Sequence, residues 1–219
     1  MLTGEYDGSD RAYFFQGMSP SSDNQIKRGG SQAYYRLRPA PWGAAAAMVG
    51  VATFAATVMV LHLLQPDYEA TYQLMSELAL GQHGWAMAVA FAGLALAVFG
   101  IQVAIAAFEA SRGLRFLLMV AAAFFLAAGL FPLGDTSEIH IAAIAAAFVL
   151  SVLAMYLFPS NAGRASAAAP RVVSWSLAAG IAVSVALGHS VLPIGIAQRL
   201  AAACLLAWLA ILGWRLGRR

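Results

Sequence analysis

The chain has 219 residues, of which 61% are hydrophobic and only 11% are charged. A soluble domain usually carries about 25% charged residues, so this composition excludes an ordinary soluble globular protein. The mean hydropathy of +0.74 indicates that lipid surrounds most of the chain. The formal net charge of +3 does not indicate nucleic-acid binding, because the basic residues lie between apolar segments rather than in one patch interleaved with aromatic residues.

Residues 1–41 form a polar segment rich in Gly, Ser, Asp and Tyr. Low hydrophobicity of this kind is typical of disorder, unless a partner subunit or the protein's own helices hold the segment in place. We therefore predict a polar N-terminal cytoplasmic tail over 1–41 and a transmembrane domain over 42–219. The polar start also predicts that the first apolar helix acts as an uncleaved membrane anchor.

Six apolar segments make up the rest of the chain. A spanning helix needs about 20 apolar residues, with a range of roughly 17 to 25, and the fifth and sixth segments lie at the short end of that range. The predicted spans are 42–64, 85–108, 114–131, 139–158, 172–188 and 200–214. The predicted fold class is therefore all-α, an integral membrane bundle of six transmembrane helices.

The basic residues predict the orientation of these six spans. Twelve of the thirteen fall on one side, which becomes the cytoplasmic side by the positive-inside rule, and only Arg199 falls on the other. The twelve are Arg11, Lys27, Arg28, Arg36, Arg38, Arg112, Arg115, Arg164, Arg171, Arg215, Arg218 and Arg219. We expect a multi-pass protein of a bacterial inner (cytoplasmic) membrane with both termini in the cytoplasm.

The first outer loop carries a helical pattern of its own. Tyr68, Tyr72, Met75 and Ala79 recur at helical spacing between Pro66 and Gly81. This pattern predicts a short amphipathic helix lying on the outer membrane surface.

Ionisable side chains avoid the middle of every predicted span and collect at the outer ends. The group comprises His62, Glu77, His83, Asp135, Glu138, His140, His189 and Arg199. Pumps and ion-coupled carriers place ionisable groups inside the membrane, so their absence there argues against those classes. An outer group of acids and histidines instead suits acid–base chemistry or metal binding.

From this group we select Glu77, Asp135, His140 and Arg199 as a candidate catalytic cluster. Glu77 or Asp135 would act as a base or metal ligand, and His140 as an acid–base group or ligand. Arg199 would clamp a phosphate or carboxylate, since its planar guanidinium binds such anions bidentately.

Each of these residues also has a structural interpretation. Asp135 and Glu138 have the spacing of a capping box that opens the fourth helix, and Glu77 suits the wet face of the surface helix. Arg199 suits a headgroup anchor or an ion pair with Glu77 or Asp135. His140 suits a hydrogen-bonded structural histidine, and the two loop histidines, His83 and His189, suit the membrane interface.

Several short motifs occur in order between the predicted helices. They are Tyr68-Glu69, Met75-Ser76-Glu77-Leu78-Ala79, Gly84-Trp85 with Phe91, Gly129-Leu130-Phe131-Pro132 with Asp135 and His140, and Gly195-Ile196-Ala197-Gln198-Arg199-Leu200. Together they resemble a family of six-helix bacterial membrane proteins known only as a domain of unknown function, number nine hundred and ninety-eight. The resemblance runs from about residue 42 to the C-terminus. It implies six helices and a membrane location but no reaction.

The resemblance also bears on metal and cofactor binding. Many family members carry a second His one turn after the first, where this chain has Ile144, which argues against a paired-histidine metal site. The sequence implies no cofactor and no metal. A haem or chlorophyll held by His62 or His140 is a further alternative that nothing else in the sequence marks.

Three functions remain open from the sequence. The first is a non-catalytic accessory subunit that packs against other subunits of a larger membrane complex, for which a photosynthetic or respiratory complex is one candidate host. Its partners would be the lipid bilayer and other membrane subunits, with no nucleic acid. The second is a membrane enzyme that acts on a lipid or surface substrate through the candidate cluster. The third is a carrier of a small amphipathic molecule, which would need a central cavity and broken helices.

Overall fold

The computed structural model describes residues 41–188 and 190–219 and is all-helical over them. Two short 3-10 helices, Met75–Leu80 and Gly163–Ala168, accompany six α-helices. The α-helices are α1 (Pro41–Leu64), α2 (Ala86–Ala106), α3 (Arg112–Leu130), α4 (Ser137–Asn161), α5 (Arg171–Leu187) and α6 (Ile194–Gly217). The prediction of an all-α fold is confirmed, while the predicted tail lies outside the described residues apart from Pro41.

Five of the six α-helices are long and apolar enough to cross a membrane. The chain is therefore a multi-pass membrane protein whose apolar helices contact the lipid bilayer. The sixth, α5, is apolar but has only 17 residues, or about 25 Å at about 1.5 Å per residue. The last helix, α6, is longer than predicted. It begins at Ile194 rather than at 200 and therefore includes Arg199.

Sequence neighbours pack side by side, and α6 closes the ring by packing against both α5 and α1. One end of the bundle, here called the basic end, contains the starts of α1, α3 and α5 and the ends of the other three helices. The opposite end, here called the Arg199 end, contains the loops after α1, α3 and α5. Buried side chains are most frequent on α2, which also approaches α6 across the ring.

Paired glycines bring α1 and α2 into backbone contact. A Cβ atom added at Gly50 would lie 2.3 Å from the carbonyl oxygen of Gly93, and one at Gly100 would lie 2.5 Å from that of Gly43. The two glycines of each helix are seven residues apart, so they share one helix face. Small residues allow such close approach between helices in lipid, where hydrophobicity alone drives no association.

The segment between α1 and α2 differs from the prediction. It forms turns followed by the six-residue 3-10 helix Met75–Leu80, so the predicted amphipathic surface helix is not confirmed. Met75, Ser76 and Leu78 are buried. The segment thus packs onto the bundle, where the 3-10 helix contacts α1, α2 and α6.

Candidate functional site

At the Arg199 end, one arginine of α6 holds the α1–α2 segment against the bundle. Arg199 Nη1 donates hydrogen bonds to the carbonyl oxygens of Gln73 (3.1 Å) and Gly195 (2.8 Å). Its Nη2 donates to His62 Nε2 (3.0 Å) and to the Tyr68 hydroxyl (2.5 Å). Each Nη carries two N–H groups, so these bonds account for all four. The interaction set of His62, Tyr68, Gln73, Gln198 and Arg199 is here called the clasp.

The hydrogen bonds of His62 assign its tautomer. Its Nδ1 lies 2.6 Å from the carbonyl oxygen of Val58, which can only accept. Nδ1 therefore carries the proton, and Nε2 is left as the acceptor for Arg199. The imidazole is thus a neutral partner for the guanidinium, and its ring also meets the Tyr68 ring edge-on at 5.0 Å between centroids.

Tyr68 is the centre of the clasp. Its hydroxyl lies within hydrogen-bonding distance of the carbonyl oxygens of Gln73 (3.1 Å) and Leu74 (2.9 Å), while it accepts from Arg199. Burial raises the pKa of Tyr68, and the hydrogen bond and positive charge of Arg199 oppose that rise. The phenol therefore stays protonated at neutral pH and acts as both donor and acceptor.

A second contact fixes the 3-10 helix to α6. Gln198 Oε1 accepts a hydrogen bond of 2.6 Å from the Met75 backbone N–H, and Glu77 Oε1 accepts one of 3.0 Å from the Leu74 N–H. Gly195 permits this approach, because a Cβ atom there would lie 2.4 Å from the Ala70 carbonyl oxygen. Two donors at the start of the 3-10 helix are thus satisfied by side chains.

A cleft of about 300 Å³ opens beside the clasp. Its lining is about equally polar and apolar and consists of Leu64, Gln65, Pro66, Asp67, Tyr68, Gln73, Glu77, Leu80, Gly81 and Gln82. The Gln65 amide is already engaged, since its Nε2 donates to the carbonyl oxygens of Leu78 (3.0 Å) and Gln82 (2.8 Å). Glu77 is the single member of the candidate cluster that lines this cleft.

His140 lies apart from the clasp, on the first turn of α4. The residue is 1% exposed, and its Nδ1 lies 2.8 Å and 3.1 Å from the carbonyl oxygens of Ala128 and Phe131 at the end of α3. Its ring packs edge-on against Phe91 at 5.4 Å. Nδ1 therefore donates to carbonyl groups that the end of α3 leaves without a helical partner, while the buried Nε2 has no hydrogen-bond partner among residues 41–188 and 190–219.

The predicted capping box at Asp135 and Glu138 does not form. Thr136 occupies the N-cap position of α4 and makes no side-chain bond to the helix, since its hydroxyl donates to the Pro132 carbonyl oxygen (2.7 Å). Asp135 and Glu138 are exposed. The turn is held instead by Ser137, whose hydroxyl accepts a hydrogen bond from the Gly134 N–H at 2.9 Å. Asp135 and Glu138 therefore do not cap α4.

The structure brings Glu77 and Arg199 near each other around Tyr68, whose hydroxyl responds to both charges. It does not join them: among the described residues the one ion pair is Arg164–Glu109, so the expected pairing of Arg199 with Glu77 or Asp135 is wrong. Asp135 and His140 belong to the α3–α4 turn. His83 is exposed in the α1–α2 segment, and His189 lies outside the described residues.

Two of the family motifs, those with Tyr68 and with Gln198-Arg199, contribute residues to the clasp. Residues 48–215 match the family model described as "Protein of unknown function (DUF998)". The chain belongs to this family. No curated protein and no solved structure matches it. The motif residues Tyr68, Glu77, Gln198 and Arg199 therefore meet in one place in this family member, where they connect the α1–α2 segment to α6.

This arrangement limits the chemistry available to the candidate residues. An anion clamp at Arg199 would require at least one Nη group to exchange existing hydrogen bonds for the ligand. A tetrapyrrole at His62 would compete with Arg199 for Nε2, and one at His140 would have to enter a packed interior. In the described part of the chain, no three His, Cys, Asp or Glu side chains approach closely enough to hold a metal ion.

Proposed function

We propose that the protein is a non-catalytic accessory subunit of a larger membrane complex, docking through its helices. The proposal rests chiefly on an uneven distribution of side-chain size over the lipid-exposed surface. Three adjacent helices, α5, α6 and α1, expose stripes of small side chains beside bulky ones such as Met59, Leu63 and Trp175, whereas the exposed side of α3 carries mostly bulky side chains. We call the stripes the small-residue face.

The small-residue face follows helical periodicity on each of its helices. On α1 the stripe advances by four, three and four residues, and on α5 by three, four and three. The exposed members are Ala45, Val49, Ala52 and Ala56 on α1, Ser176, Ala179, Val183 and Ala186 on α5, and Ala203 and Ala207 on α6. Since α6 packs against both other helices, the three stripes lie on neighbouring elements.

On the far side of the ring, α3 exposes Phe116, Met119, Leu126 and Leu130. Large flexible side chains suit contact with acyl chains, while small side chains let the backbone of another helix approach closely. The small-residue face therefore suits a protein partner better than lipid. A transmembrane helix of another subunit is the occupant that this chemistry favours.

The site geometry also favours a structural role. The Nη groups of Arg199 and the Nδ1 of His140 bond neighbouring groups of the protein, which favours a role of both residues in holding turns in place. Of the candidate catalytic residues, only Glu77 lines the cleft. In the enzyme alternative, a substrate that binds Arg199 would have to break bonds of the clasp. For the carrier alternative, the enclosed interior cavity of about 20 Å³ has room for about one water molecule.

The proposal includes six spans, with α5 as the sixth, in a bacterial inner membrane. A helix of about 25 Å is shorter than a hydrocarbon core of about 30 Å, which local thinning and flanking residues can accommodate. The clustering of arginines at the basic end supports a cytoplasmic location for both termini. The proposal also includes docking through the N-terminal tail, residues 1–41. Apart from Pro41, the tail lies outside the residues that the structure describes.

Co-purification tests this proposal. The C-terminally tagged protein is extracted from native membranes in a mild detergent, and the eluted complex is sized and its subunits identified. We expect co-elution with other membrane subunits in fixed stoichiometry. Ala52→Phe and Ala203→Phe, on the small-residue face, should release the protein from the complex, whereas the matched variant Ala123→Phe, at an exposed position of α3, should not. Elution of the unmodified protein alone or as a homo-oligomer would refute the proposal.

A further inference from the structure

The second 3-10 helix, Gly163–Ala168, is fastened at the basic end by arginines of α6. Arg215 Nη1 donates to the Ala168 carbonyl oxygen (3.3 Å), and Arg219 Nη1 donates to the Arg164 carbonyl oxygen (3.0 Å). Arg164 itself pairs with Glu109 at 3.1 Å. The carbonyl oxygens thus hold several guanidinium groups around one short segment between α4 and α5.

The charge at this place is strongly unbalanced. Five arginines, Arg164, Arg171, Arg215, Arg218 and Arg219, lie on or next to the 3-10 helix and the end of α6. Glu109 is the one acidic side chain next to these five arginines in the described part of the chain, so their side chains together carry a net charge of +4. Like charges held close together repel each other, and a bound anion would relieve that repulsion.

The guanidinium groups keep donors for such an anion. A guanidinium has five N–H donors, and the contacts of Arg215 and Arg219 with the 3-10 helix engage one Nη of each. Guanidinium matches the oxygens of a phosphate bidentately. The hydrogen bond from Nη1 therefore positions each of these two guanidinium groups, while the other N–H groups can bind phosphate.

Aromatic side chains place the arginines at the level of lipid headgroups. The Arg218 Cζ lies 4.3 Å from the centroid of the Trp214 ring, and the Arg171 Cζ lies 5.2 Å from that of Trp175. Both rings are exposed, Trp214 to 51% and Trp175 to 40%. Exposed tryptophans at helix ends mark the boundary between hydrocarbon and headgroups, so the phosphates of the bilayer lie at this depth.

We propose that the arginines around the second 3-10 helix bind the phosphate of an anionic phospholipid headgroup. Basic pockets between transmembrane helices recognise anionic headgroups by this chemistry. A zwitterionic lipid offers the same phosphate but adds a positive group that the cluster repels. The site therefore prefers anionic lipid, and the bound headgroup fastens α6 to the connection between α4 and α5.

Native mass spectrometry of the detergent-solubilised full chain tests the proposal, with dioleoyl phosphatidylglycerol and dioleoyl phosphatidylcholine as probes. We expect the unmodified protein to bind the anionic lipid at least about tenfold more tightly. An arginine near the membrane surface contributes about fivefold to such binding. Arg219→Gln should therefore reduce the preference about fivefold, and the double variant Arg215→Gln/Arg219→Gln should abolish it.

The matched control is Arg112→Gln, an exposed arginine at the same end on α3, which should keep the full preference. Arg215→Lys, which retains the charge, should keep more of it than Arg215→Gln. Equal affinity of the unmodified protein for both lipids would overturn the proposal. So would an equal loss in Arg112→Gln, which would indicate general charge attraction, or full competition by soluble glycerophosphoglycerol, which would indicate a site for free phosphate esters.

Discussion

Replacing Arg199 by methionine should detach the α1–α2 segment from α6. Methionine keeps an unbranched side chain but removes every donor, so His62 Nε2, the Tyr68 hydroxyl and the Gln73 carbonyl oxygen lose their partner across the helices. A hydrogen bond to a charged group contributes about 1.5–3 kcal/mol when buried. Since the guanidinium is only half-buried, we take about 1 kcal/mol for each bond, or about 3 kcal/mol in all.

The expected loss converts into a measurable melting shift. For a chain of this size, 1 kcal/mol corresponds to about 2–4 °C, so Arg199→Met should lower the melting temperature in detergent by about 6–12 °C. Tryptophan fluorescence follows the melt, and hydrogen exchange should rise over residues 66–77. Arg112→Met, at an exposed arginine of the basic end, is the control. A shift below about 2 °C with unchanged exchange over 66–77 would refute the assignment of these bonds.

Two further predictions concern the helix contact and the clasp tyrosine. Gly50→Ala places a Cβ atom 2.3 Å from the Gly93 carbonyl oxygen and should lower the free energy of unfolding by about 1–3 kcal/mol. The control Gly113→Ala, whose Cβ atom meets nothing within 4 Å, should leave the melting temperature unchanged or slightly raised. Equal shifts of the melting temperature in the two variants would contradict the proposed backbone contact. Because burial raises the pKa of Tyr68, its phenol contributes stability below the unfolded pKa of about 10 and loses that contribution as pH rises through the folded pKa. The difference in phenolate absorbance between the unmodified protein and Tyr68→Phe should therefore titrate above the pKa of unfolded tyrosine, and titration at or below that value would sink the argument.

The helices were predictable because lipid imposes a simple rule. In hydrocarbon the backbone must satisfy its own hydrogen bonds, so apolar runs of sufficient length become helices. This rule located all six α-helices. It fails at the start of α6, where the sequence predicts a span that begins only after Arg199. The helix begins earlier because its guanidinium finds partners on α1 and on the α1–α2 segment.

The site was less predictable because its partners are mostly uncharged. The sequence suggests a lipid headgroup, an acidic side chain or a bound anion as the partner of Arg199, whereas the structure pairs it with backbone carbonyl oxygens, a phenol and a neutral imidazole. Backbone acceptors leave no signal in a sequence. The order of the Tyr68 and Gln198-Arg199 motifs was the one available signal, and it located the clasp without giving its contacts.

The capping prediction at Asp135 failed for a related reason. The spacing of Asp135 and Glu138 suits a capping box, but the α3–α4 turn is shaped by tertiary bonds from His140 to the end of α3. In this turn Thr136 occupies the N-cap position. Local spacing therefore gave way to a contact between residues on two different helices.

The clasp also has a consequence for the order in which the protein is built. His62 and Arg199 are separated by 137 residues, so ribosomal synthesis delivers the acceptor long before the donor. Until α6 enters the membrane, His62 Nε2 and the Gln73 carbonyl oxygen have no guanidinium to bind, and the α1–α2 segment lacks its bonds to α6. Insertion of the last helix is therefore the step that completes this end of the protein, since chain segments emerge and fold in sequence during synthesis. A nascent chain that stops before residue 199 contains five helices and no means of closing the clasp.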